Sequence, residues 1–67
     1  MTSYRHKENQ FIIIYFYDVF IKLWTITKYS INKYGKREHQ IGDSEYLNNK
    51  YELKKCYPQF KFIKEAQ

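Results

Sequence analysis

Glycine, proline, cysteine and alanine are nearly missing from this chain of 67 residues, and each scarcity closes off a class of protein. Cys56 is the lone cysteine, so no internal disulfide forms and the stapled secreted mini-domain is excluded. It reads as a reduced, half-buried small side chain. His6 and His39 stand far apart, with no cysteine or carboxylate at zinc-like spacing, so neither metal nor cofactor is expected. The two glycines, Gly35 and Gly42, cannot build a glycine-rich phosphate loop. No Cys pair, His-x-Glu or supported Ser/His/Asp set occurs, so no catalytic residue is assigned and the chain is not expected to be an enzyme. Arginine is also scarce, with only Arg5 and Arg37. At this length the chain is at most one small domain, which buries little surface without outside help.

What the chain does have is one apolar block. Thirteen of the 17 residues from 11 to 27 (FIIIYFYDVFIKLWTIT) are Phe, Ile, Tyr, Val, Leu or Trp, yet Asp18 and Lys22 sit among them. The net charge is +5, and most of the excess falls just after the block, at Lys28, Lys33, Lys36 and Arg37. Phe, Tyr, Ile, Asn and Lys make up over half of the chain. All five have AT-rich codons, which points to an AT-rich genome and explains part of the Lys and Tyr content without a physical need.

The block contains no glycine or proline and is far longer than an ordinary strand. Its length therefore predicts a helix over about 11–31. On that helix Tyr15, Asp18, Lys22, Thr25 and Tyr29 form one narrow polar stripe, with Asp18 placed to make an intrahelical ion pair with Lys22. Residues 32–42 read as a break, with Gly35 as a helix C-cap. Asp43 and Ser44 are N-cap candidates for a short second helix over about 44–56, ended by Pro58. Residues 59–63 (QFKFI) read as a short strand or an extended arm laid on a partner. The expected fold is all-α, in three parts: a polar arm over 1–10, the apolar helix over 11–31, and a basic, polar tail over 32–67. The arm lacks the Arg/Ser pattern of a cleavable transit peptide.

The length of the first helix suits a membrane. Extended to residue 31 it measures about 31 Å, close to the ~30 Å hydrocarbon core. Ten strongly apolar residues contribute about −5 kcal/mol to insertion, and the two central charges cost about +6 kcal/mol. Such a helix inserts when its polar stripe faces protein while Ile12, Ile13, Phe16 and Phe20 face lipid. Lys28, Lys33, Lys36 and Arg37 then meet headgroups; the alternative is that they contact RNA phosphates, with Tyr29 and Tyr34 stacking on bases.

A short polar arm, one apolar helix carrying Asp18 and Lys22, a basic flank and a polar tail together resemble the single-span accessory subunits of mitochondrial inner-membrane complexes. That resemblance implies a non-catalytic subunit of a respiratory-chain (electron-transport) complex. It would brace larger protein subunits in lipid, with its tail on the matrix side. Two other readings remain open. One is a peripheral mitochondrial ribosomal protein that contacts rRNA through Lys33, Lys36 and Arg37, with no role on DNA. The other is a small soluble regulator or inhibitor from a low-GC bacterium or phage.

Overall fold

The structure, a computed structural model, describes residues 2–62. The apolar block is two strands. β2 (Phe11–Asp18) pairs antiparallel along its whole length with β3 (Leu23–Ile31), with Tyr15 opposite Ile26 and Asp18 opposite Leu23. β-branched and aromatic side chains fit the pleated, half-buried surface of a sheet better than the crowded turns of a helix. The all-α expectation is therefore corrected: the described residues hold five strands in one antiparallel sheet and a single short helix.

The turn that divides the block was hidden because it uses neither glycine nor proline. Asp18 closes it with its own carboxylate. Oδ1 accepts from the backbone N–H of Phe20 at 2.9 Å and of Ile21 at 3.5 Å, while its carbonyl accepts from Lys22 N at 2.8 Å. Lys22 takes the left-handed conformation at φ 58° that ends the turn. The expected intrahelical Asp18–Lys22 pair thus becomes the two ends of a hairpin loop. With the helix goes the predicted membrane span, since no helix of the described residues is long and apolar enough to cross a bilayer. The placement in the mitochondrial inner membrane rested on that span and is withdrawn with it.

β1 (Ser3–Lys7) runs beside β2, with Tyr4 opposite Tyr15 and Lys7 opposite Ile12. On the far edge of β3 lie two short strands in succession. β4 (Arg37–Gln40) pairs with its end through Tyr29–Gln40 and Ile31–Arg37, across a bulge. β5 (Glu45–Leu47) pairs with its beginning through Trp24–Leu47 and Ile26–Glu45. Residues 41–44 bow out between them, tied back by Ile41 N to Lys28 O at 2.8 Å and by the Thr27 and Ser44 hydroxyls at 2.7 Å.

α1 (Lys50–Cys56) is the short helix, shifted from the expected 44–56 because β5 takes the first part of that stretch. Its N-cap is Asn49, whose side chain accepts from Glu52 N at 2.8 Å; Glu52 reaches back to Asn48 N at 3.2 Å. This is a near variant of the capping box. Tyr57 closes the helix by donating its N–H to Leu53 O at 2.8 Å, and Pro58 follows.

The helix and the segment after it cover one face of the sheet. Ile13, Tyr15, Trp24, Ile26, Leu53 and Phe60 form the core, with Tyr4, Phe11, Leu47, Tyr57 and Phe62 packed around it. Phe60 is sandwiched between Tyr15 (4.2 Å between centroids) and Tyr57 (4.5 Å), both nearly parallel to it. The Tyr15 hydroxyl donates to the Lys61 carbonyl, so the strand latches the segment that covers it. The stretch read as an arm for a partner thus lies, as far as Phe62, on the chain's own core; Ile63 is outside the described residues. Cys56 is exposed, where the sequence reading had it half-buried.

Candidate functional site

The opposite face of the sheet meets the turn between β3 and β4. Asn32 organises that turn: its Oδ1 accepts from Tyr34 N at 2.9 Å and Lys36 N at 3.0 Å, and its carbonyl accepts from Gly35 N at 2.9 Å. Gly35 sits at φ +77°, the left-handed position that ends a three-residue hairpin loop. Glycine is needed there for the same reason that made it look like a helix cap, its tolerance of positive φ. The turn lies close to β1. A Cβ at position 35 would stand 3.8 Å from Lys7 Nζ.

Between the turn and the strands lies a cleft of about 350 Å³. Arg5 from β1 and Lys36 and Arg37 from the turn and β4 line it, with Ile12 and Ile14 of β2 beneath. Among the described residues that line it there is no carboxylate. The nearest acid in the chain to Arg37, Glu38, has its carboxylate 3.2 Å from His39 Nε2. Arg37 lies over the Tyr29 ring, with its guanidinium carbon 4.7 Å from the centroid. A cation–π contact of this kind holds a long side chain in place and leaves the charge intact. Ile12 is only 3 % exposed, so the floor is firmly built. Lys33 and Tyr34 belong to the same turn without lining the cleft, Nζ 5.2 Å from the ring centroid, and Tyr34 is largely exposed.

A second cleft, of about 400 Å³, lies on the helix side of the sheet. Phe11, Ile13 and Ile26 line it together with Glu8, Asp43, Glu45 and Lys28. Its charges are of both signs and partly engaged: Glu8 with His6 at 2.9 Å, Glu45 with the Tyr57 hydroxyl. Burial, followed by this carboxylate, pushes the Tyr57 phenol up to about 12. Burial also raises Tyr15. Among the described residues no three His, Cys, Asp or Glu side chains gather as metal ligands would.

The residues singled out in the sequence are scattered by this fold. Tyr15 is at the centre of the core with no exposed surface, while Thr25 is buried on the other face of the sheet, its hydroxyl without a hydrogen-bond partner among the described residues. Tyr29 lies under Arg37. Of the group read as lipid-facing, Ile13 is in the core, Ile12 floors the cleft and Phe16 is half-buried. Phe20, at the tip of the β2–β3 hairpin, is 87 % exposed. Of the four cations read as phosphate or headgroup contacts, Lys36 and Arg37 share the cleft, while Lys33 is on the same turn but does not line it. Lys28 is on the opposite face, its Nζ 4.4 Å above the Phe11 ring. Sequence reasoning missed Arg5 and Lys7. The available signal was their spacing of two, which puts both on one face of a strand. It went unused because residues 1–10 read as an arm. Neither a protein family, nor a curated protein, nor a solved structure matches this chain.

Proposed function

We propose that this chain is a non-catalytic binding module whose cationic cleft takes the phosphate backbone of a single-stranded nucleic acid. The observation that carries the reading is the meeting of Lys36 and Arg37, with Lys7 beside Gly35, at a cleft that Arg5 also lines. A concentration of cations attracts polyanions and gains from the counterions the polymer releases. A cleft of about 350 Å³, between a hairpin turn and a strand pair, suits one strand better than a duplex. The exposed Tyr34 ring supplies a stacking surface that tolerates any base.

The test is fluorescence anisotropy with labelled oligo-U and oligo-dT of about 12 nucleotides. Lys7, Lys36 and Arg37 on one backbone predict a slope of log affinity against log salt of about −2 for a single strand. K36A/R37A should weaken binding at least about tenfold. K28A, on the other face, should leave the cleft's contribution intact. Absence of binding at low salt, or an equal loss in K28A and K36A/R37A, overturns the proposal.

A further inference from the structure

We infer that unpaired bases of the strand seat on the open sheet face beside the cleft, on the rings of Phe16 and Tyr46, an inference that rests on the nucleic-acid reading above. Strand pairing fixes where these rings stand. Ser3 lies opposite Phe16, Phe16 opposite Thr25, and Thr25 opposite Tyr46. The four therefore form one row across β1, β2, β3 and β5, with their side chains on one face. That face is turned away from the core. Their neighbours Tyr15, Trp24 and Leu47 belong to the core side, and Glu45 meets the Tyr57 hydroxyl there.

The row is continuous with the cleft. Ser3 lines the cleft, and Ile14, part of its floor, precedes Phe16 on the same face of β2. From Ile12 to Phe16 is about 13 Å along the strand. A nucleic-acid strand that leaves the cleft in this direction crosses the row. Its chemistry differs from that of the cleft. None of the four side chains is charged. Asp18, next on that face of β2, has its carboxylate on the N–H groups of Phe20 and Ile21. The row offers phosphate nothing, so the backbone stays with Lys36 and Arg37. What it offers is flat apolar surface. Tyr46 is 53 % exposed, on a short strand at the edge of the sheet. Phe16 is half-buried, and its flanking residues Ser3 and Thr25 are too small to wall in the ring. Thr25 is buried between the two aromatic positions, which stand about 10 Å apart by the spacing of strands. Aromatic rings beside a cationic groove hold the bases of a single strand by stacking, whatever their identity. The ligand class narrows accordingly to a phosphate backbone that carries unpaired bases. A bare polyanion has no bases, and a duplex keeps the faces of its bases inside the stack.

The experiment compares, by fluorescence anisotropy, labelled oligo-dT of about 12 nucleotides with an abasic deoxyribose-phosphate strand of the same length. The parent should bind oligo-dT about twentyfold or more tightly than the abasic strand. Y46A and F16L should each lower that ratio about fivefold and leave affinity for the abasic strand unchanged. F16L keeps apolar volume and removes the flat ring. Y46A alters an exposed position and decides the matter alone if F16L does not fold, which near-UV circular dichroism of Trp24 checks. K36A/R37A should weaken both strands alike and keep the ratio. Y34A measures the share of the turn tyrosine. A parent ratio of one, or a ratio that Y34A abolishes and Y46A leaves intact, overturns the assignment to this row and leaves the backbone reading standing. Failure of both strands to bind overturns both.

Discussion

Tyr57 joins the end of α1 to β5 by donating its hydroxyl to Glu45, and the bond works only while the phenol keeps its proton. Its folded value of about 12 lies above the ordinary value of 10, so the folded state retains the proton longer than the unfolded chain does. The linkage has one sign. The stabilisation is complete below about pH 10 and is lost as pH rises from there towards 12. Tyr15 shifts in the same direction. The urea midpoint should therefore fall above about pH 10, and Y57F should show a shallower fall than the parent. Equal slopes would remove Tyr57 as a cause. At this scale the sequence was a poor guide to side chains with mixed character. Tyr15 reads as polar by its hydroxyl, yet the ring is the centre of the core and the hydroxyl is spent on a carbonyl of the covering segment. Nothing in local spacing tells which half of a tyrosine will be buried.

Among the elements, the β2–β3 hairpin decides the fold, and Asp18 decides the hairpin. Its carboxylate takes two N–H groups at the tip of a loop in which Val19, Phe20 and Ile21 are apolar and exposed. D18A should cost about 1 kcal/mol, as the loss of a comparable cap does, and D18N should retain much of the parent stability. K22G should move the other way by roughly 0.5–1 kcal/mol, because φ 58° is strained for lysine. Chemical denaturation of the three variants checks both signs. The strand pair was legible in composition, since Ile, Tyr, Phe, Val, Trp and Thr favour sheets. The block nevertheless reads as one long element, because the loop carries neither glycine nor proline. The helix before Pro58 was legible too, but its start was misplaced. Asp43 and Ser44 look like caps in isolation, whereas pairing of residues 45–47 with β3 pushed the N-cap to Asn49.

As a whole molecule, the protein depends on one small aromatic core. A domain of this size rarely exceeds about 3–5 kcal/mol of stability without staples. Removing a buried phenylalanine ring costs about 3–5 kcal/mol. Phe60 stacks on both Tyr15 and Tyr57, so F60A should leave the chain largely unfolded at 25 °C, seen as loss of the near-UV circular dichroism of Trp24, while F60L should fold with a lowered urea midpoint. Retention of parent stability by F60A would show that the C-terminal segment is not part of the cooperative unit. The same closure puts a basic cleft on the other face, where Arg5 and Arg37 come together from opposite ends of the sheet order. The chain's own residue types settled its local facts: no disulfide, an excess of lysine, a break at Gly35 and a helix stopped by Pro58. Tertiary structure alone decided that the apolar block doubles back, which tyrosine ring is buried, and which cations share a space. Those outcomes depend on contacts between residues tens of positions apart, and such contacts leave no mark in local periodicity.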